Sequence, residues 1–219
     1  MKKQTLLRSM IAIIAICFIA TTGCKKDELE EIQQKRIDEV IPQKYIDTLK
    51  QLGITINEGT TPPNMEGIYQ ISSAKLEASN ISTDIIGTVY TAMKFKLFSQ
   101  NNTDFSIQLY GKNFIGLIDT SIVTAVSGNG DNFTVYGKIK ANNGINYAIF
   151  GLIISGTKEG ADLKDVKFSL INIDNSNGGG FFIPEGKARL FYDADFISES
   201  ISVFRLGVAD DKRKTAGQW

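Results

Sequence analysis

Two carboxylates in one short run are the first candidates for chemistry. Phe191-Tyr192-Asp193-Ala194-Asp195 sets Asp193 and Asp195 two residues apart, so on an extended strand both leave the same face. Such a pair could hold a calcium ion or divide into acid and base. It suits a strand end equally well, because aspartate is disfavoured inside strands. A second acidic run, Asp174-Asn175-Ser176-Asn177-Gly178-Gly179-Gly180 with Glu185 eleven positions after Asp174, echoes the spacing of a calcium-binding EF-hand loop. Gly178 takes a ligand position there and the flanks read as strands, so a hairpin loop is expected instead. The three glycines are followed by neither Lys-Ser/Thr nor a helix, which removes the phosphate-binding loop. The 219 residues include no histidine. Ser-His-Asp and Cys-His nucleophiles, histidine acid/base chemistry and histidine-ligated metals are thereby excluded. An enzyme would be confined to carboxylate-based hydrolysis; a non-catalytic protein without cofactor is the expectation.

Lys94, Lys96, Lys138 and Lys140 would form a basic stripe if their strands lay side by side, suited to an anionic glycan or lipid head group; otherwise they are the wet face of a sheet. Lys plus Arg and Asp plus Glu both number 24, so the basic surplus needed to neutralise phosphates is missing and no nucleic-acid partner is expected. The 13 Phe and 7 Tyr either fill a core or line an apolar pocket, depending on how the strands close.

The two cysteines, Cys17 and Cys24, lie close to the start. Lys2, Lys3 and Arg8 precede an apolar run, Met10 to Ala20, that ends in Thr21, Thr22 and Gly23. The run is shorter than the roughly 20 residues a bilayer core requires, so residues 1–23 have the layout of a secretory signal. Thr21-Thr22-Gly23-Cys24 resembles the bacterial lipoprotein signal, with Thr21 standing where that family usually carries Leu. The resemblance implies cleavage before Cys24, lipidation of Cys24 and a membrane partner reached through that lipid, at the outer membrane. Lys25, Lys26, Asp27 and Glu28 resemble the Lys-acidic-acidic export signal of certain Gram-negative bacteria, which implies a position facing the cell exterior; without that role they are a solvated tether. Loss of Cys17 with the signal leaves no partner for a disulfide, so the fold must stand without one.

From Asp27 to Leu52 apolar residues recur every three or four positions among Glu, Gln, Lys and Arg, the pattern of two short helices. The first half of Asp27 to Val40 is expected to be a frayed spacer, Pro42 to open the second helix and Gly53 to cap it. After Gly67 the period changes to two. Met93, Phe95 and Leu97 alternate with Lys94 and Lys96, and Phe105, Ile107 and Leu109 with Ser106 and Gln108, as half-buried strands do. Ile145 to Ile154 is apolar on both faces, which predicts a strand covered on both sides. Short connectors rich in Gly, Asn and Asp suit hairpins. The expected organisation is residues 24–66 as lipidated cysteine, tether and helices, 67–204 as an antiparallel β domain, and 205–219 as a polar tail.

Glu66-Gly67-Ile68-Tyr69 opens the first strand of a meander of about eight to ten, after a helical segment. In outline this resembles the lipocalin-like (calycin) barrels, in which a Gly-x-Trp opens the first strand and the tryptophan packs across the barrel floor beneath an arginine. Tyr69 would take the tryptophan's place, with Arg189 or Arg205 above it. The fold class is therefore all-β, an antiparallel meander forming a calycin-like barrel or else a β-sandwich, preceded by one or two short helices. Architecture and address point to a lipid-anchored binding module for a small hydrophobic ligand or a glycan; the alternative is a structural lipoprotein that docks on another envelope component.

Overall fold

The computed structural model describes residues 26–115 and 119–204. Residues 1–25, on which the expected signal, the expected lipidation site Cys24 and Lys25 fall, and residues 205–219, with Arg205, lie outside them. A first helix, α1, occupies residues 26–40, and α2 spans Gln43–Leu52. The rest is mostly antiparallel β-sheet. In chain order the strands are β1 Thr60–Thr61, β2 Gly67–Ile71, β3 Ala74–Ser79, β4 Val89–Tyr90, β5 Met93–Asn101, β6 Ser106–Lys112, β7 Asp119–Asn129, β8 Asn132–Asn143, β9 Asn146–Glu159, β10 Asp162–Asp174, β11 Ala188–Asp193 and β12 Ile197–Ser200.

Pairing follows the chain from β5 to β10, as short hairpin turns dictate. The remaining pieces act as interrupted strands. β2 and β3 pair with β5 and β4 on one side and with β12 and β11 on the other, while β11 and β12 both pair with β10. The first and last strands of the meander thus meet, and the strands form a ring of eight positions. The interruptions fall on neighbouring strands, at residues 72–73, 91–92 and 194–196. There Asp165 in β10 and Phe196 take left-handed conformations (φ 50° and 63°), and the Asp165 N–H donates to Phe196 O at 3.0 Å. Bulges of this kind bend a strand sharply and let a sheet turn a corner.

Alternation sends one side chain in two into the ring. Phe95, Leu97, Phe105, Ile107, Phe133, Val135, Leu152, Ile154 and Phe168 meet there, all buried. On the outer face, Ile37, Val40, Ile41, Ile46 and Leu49 of the helical arm pack on Tyr136, Ile153, Ile171 and Leu190. β9 is therefore covered on both faces, as its sequence predicts. Gly151 makes the second contact possible, since a Cβ there would stand 3.1 Å from both Ile41 and Ile171. Ile145 belongs to the turn instead. Gly144 (φ 61°) opens a two-residue hairpin turn, and Ile145 is 96% exposed.

The helices also set the polarity of the molecule. α1 is helical through its first half, contrary to the frayed spacer expected, because Leu29 packs on the interior cluster and Gln33 Nε2 donates to Gly59 O and Val126 O at 2.9 and 3.2 Å. Arg36 Nε then donates to Thr124 O and Lys138 Nζ to Glu39 O, so α1 climbs antiparallel to β7. α2 descends again. Its start is held by the Tyr45 hydroxyl, which donates to Glu185 at 2.6 Å, and Gly53 (φ 104°) ends it in a left-handed cap. Pro42 is the residue just before the first turn, one place earlier than expected.

Residues 54–66 then close the lower end of the ring. Asn57 Nδ2 bonds Phe133 O and Ser155 Oγ, β1 pairs with Gly128 and Asn129, and Met65 is fully buried. The helical arm therefore begins at a plugged end, and the loops β3–β4, β6–β7, β8–β9 and β10–β11 surround the other.

Candidate functional site

The open end holds a hollow of about 300 Å³. Its walls come from distant parts of the chain: Tyr90 from β4, Phe114 and Ile115 from beyond β6, Phe150 from β9, Phe181 and Phe182 from the β10–β11 loop, and Arg189 and Phe191 from β11. The aromatic rings support one another. Tyr90 meets Phe191 edge-on at 5.1 Å and Phe150 meets Phe182 at 6.0 Å, while Phe168 stacks on Phe191 at 4.7 Å and presents its face to Phe114 at 5.2 Å. Edge-on and offset pairs are the favourable aromatic geometries. A hollow of this size and lining can take a small apolar body.

One charged pair stands at its side. Arg189 donates from Nε and Nη2 to both oxygens of Asp84 at 2.7 and 2.8 Å, and Ser79 Oγ donates to the same carboxylate. The guanidinium holds Asp84 below the usual carboxylate range. This bidentate pair pins the β3–β4 loop against β11.

Arg189 is thus committed to the mouth and does not cover Tyr69, contrary to the expectation from the calycin outline; Arg205 lies outside the described residues. Tyr69 does lie low in the ring. Its hydroxyl donates to Met65 O at 3.2 Å, its ring packs on Phe95 at 5.3 Å, and burial pushes its hydroxyl up to about 12. The cation over it is Lys158, with Nζ 5.2 Å from the ring centroid.

The Asp193 and Asp195 pair is brought together, but not on one extended strand. β11 stops at Asp193, which faces inward like Phe191 and is 1% exposed, and Asp195 sits exposed in the following turn. Ser198 Oγ donates to Asp193 Oδ2 at 2.7 Å. Burial pushes Asp193 up to about 6; the Asp195 carboxylate adds to the rise and the Ser198 hydroxyl opposes it. Like charges in low dielectric favour sharing one proton. Among the described residues no group of three or more Cys, Asp or Glu side chains could hold a metal ion.

The remaining sequence candidates are scattered. Lys26, Asp27 and Glu28 lie exposed at the start of α1, with Lys26 Nζ 3.7 Å from Glu30. Lys94 and Lys96 on β5 are separated from Lys138 and Lys140 on β8 by two whole strands, so the four make no single stripe. Asp174 receives bonds from Ser176 and Glu185 serves Tyr45, as in a closed hairpin loop. The aromatic mouth was not named residue by residue in the sequence; its visible signal is Phe181-Phe182-Ile183, three apolar residues inside a polar loop. Among the described residues no helix is long and apolar enough to cross a membrane. Compared with protein-family models, curated proteins and solved structures, the chain matches none of them.

Proposed function

We propose that the protein is a non-catalytic binding module, a calycin-like barrel whose open mouth holds a small hydrophobic ligand, tethered by lipid at Cys24 to the outer membrane and facing the exterior. The observation that carries the reading is the hollow of about 300 Å³ framed by Tyr90, Phe114, Phe150, Phe182 and Phe191 at one end of the strand ring. Its lining is mainly apolar: besides the Tyr90 hydroxyl it offers Asn113, whose side chain donates to Ala92 O, and Arg189, which Asp84 holds, so it suits a hydrophobic ligand better than a glycan. The polarity of the helical arm agrees with the tether: α1 starts at the plugged end, so an anchor at Cys24 leaves the mouth turned away from the anchoring membrane.

The mouth is tested by titration with N-phenyl-1-naphthylamine, an uncharged fluorescent probe. Ile115→Trp replaces an aliphatic side chain with a bulky indole in the hollow at a half-buried position and weakens probe binding by about tenfold or more, with the urea midpoint little changed. Equal affinity in the variant sinks the mouth as the ligand site. The anchor is tested separately in the native host. Cys24→Ala leaves an unprocessed precursor; a variant that is cut and released like the parent overturns lipidation.

A further inference from the structure

The open end carries more than its hollow. Among the large hydrophobic side chains exposed in the described chain, Ile85 (76%), Ile86 (56%), Ile145 (96%) and Phe181 (62%) all occur on its loops, β3–β4, β8–β9 and β10–β11. They are loop tips, not a continuous patch. Gly144 and Gly180 take positive φ next to Ile145 and Phe181, which lets the chain turn directly beside each apolar side chain.

Behind the tips stands a second layer of the opposite character. Lys94 and Lys112 face each other directly across β5 and β6, adjoining Met93 and Asn113 of the mouth. Lys140, exposed near the end of β8, lies over the Tyr147 ring at 3.8 Å. Among the described residues no carboxylate pairs with any of these three lysines, and like charges directly opposite in a sheet are unfavourable without a counter-charge. Of the acids of this end, Asp84 is paired with Arg189, while Glu185, Asp119 and Asp174 accept hydrogen bonds from the Tyr45 hydroxyl, the Phe114 and Ile115 N–H groups and Ser176. Apolar side chains on the loops, with three lysines unpaired by carboxylates and a tyrosine behind them, have the axial order of a lipid interface, with acyl chains first and anionic head groups behind.

We infer that the open end docks on an anionic lipid surface, the tips Ile85, Ile86, Ile145 and Phe181 entering the acyl boundary while Lys94, Lys112 and Lys140 meet the head groups. An apolar ligand would then pass between bilayer and mouth without crossing water; that consequence alone rests on the ligand reading above. α1 begins at the plugged end, opposite the mouth; with the chain tethered ahead of α1 by the lipid at Cys24 proposed above, the mouth meets a second lipid surface, opposed to the one that holds it.

Among the described residues every strand and core cluster lies within 26–204, so a chain beginning at residue 26 keeps all of them and carries neither cysteine. That chain is mixed with vesicles of phosphatidylcholine and phosphatidylglycerol, which carry a negative surface potential, and separated by flotation. Vesicle binding is expected, stronger than to pure phosphatidylcholine and weakened by salt. The triple variant Ile85→Ser/Ile86→Ser/Ile145→Ser loses about tenfold or more in affinity. Lys94→Gln/Lys112→Gln/Lys140→Gln loses about tenfold or more on anionic vesicles and little on neutral ones. Both variants keep their affinity for the naphthylamine probe, which separates docking from the pocket. No flotation of the parent overturns the proposal, as does flotation of the tip variant equal to the parent. A parent dimer in sedimentation that the tip substitutions dissociate overturns it too, because a second copy then covers the rim.

Discussion

Phe168→Ala is expected to cost about 3–5 kcal/mol of folding stability, the range for a large aromatic truncated in a packed core. Phe168 is fully buried inside the ring, stacked on Phe191 at 4.7 Å and met edge-on by Phe114 at 5.2 Å. Two strands, β10 and β11, and the β6–β7 connection meet through those rings, which limits how far the backbone can collapse to refill the space. Against a total of about 5–15 kcal/mol for a typical domain, that is a large fraction. The urea midpoint falls while the slope is kept. Phe196→Ala, at a ring 57% exposed, changes stability by about 0.5 kcal/mol or less and serves as the control. Because Phe168 lies directly beneath the mouth, the vacated volume joins the hollow above, and a dry apolar cavity takes up apolar molecules. The naphthylamine probe therefore binds Phe168→Ala more tightly than the parent. A cost below about 1 kcal/mol would mean that the ring interior is not packed at this level.

Asp193→Asn is expected to stabilise the protein at pH 8 and to leave it unchanged or weaker at pH 4. The folded carboxyl is pushed up to about 6 from 3.8, so between those values the folded state holds a proton that the unfolded chain has released. Stability contributed by this group is full below about pH 4 and is lost as pH rises through 6. With one pKa unit worth about 1.4 kcal/mol, the loss is about 2–3 kcal/mol by pH 8. Asparagine keeps the acceptor for Ser198 Oγ and cannot ionise beside Asp195, so it lacks this step. Urea midpoints measured from pH 4 to pH 8 decide the matter: the difference between variant and parent should grow with pH. A constant difference across that range would show that Asp193 titrates as an ordinary surface acid. The opposite sign applies to Asp84, whose carboxyl the Arg189 guanidinium holds low; its contribution is present at neutral pH and fades as pH falls.

How much of this could be read beforehand differs from element to element. The alternation of Met93, Phe95 and Leu97 with Lys94 and Lys96 carries over to the structure residue for residue, because a strand's side-chain period depends only on its own backbone. Gly53 caps α2 and Gly144 opens a turn for equally local reasons. The first turns of α1 read as frayed because their polar side chains look solvated in isolation. Gln33 is polar and buried all the same, since two backbone carbonyls from Gly59 and Val126 converge on it.

Asp193 and Asp195 were legible as a pair by spacing alone, but not that one would be buried, for burial depends on a corner assembled from β3, β10 and β11 together. Likewise Arg189 could be named as a candidate cation but assigned to the wrong ring. Its carboxylate partner, Asp84, lies 105 positions away in the chain, and the cation over Tyr69 is Lys158 of β9, also remote in sequence.

The sequence by itself determined that histidine chemistry is absent, where most of the helices, strands and turns fall, and which face of the alternating strands is apolar, since all of these follow from side-chain type and local backbone geometry. Only the tertiary structure decided that β2 and β3 close against β11 and β12, that one end of the ring is plugged by residues 54–66, and that aromatic rings from five separated segments meet at the other. Those outcomes depend on strand stagger, bulges and the packing of side chains far apart in the chain, and no local period encodes which distant strand a given edge will meet.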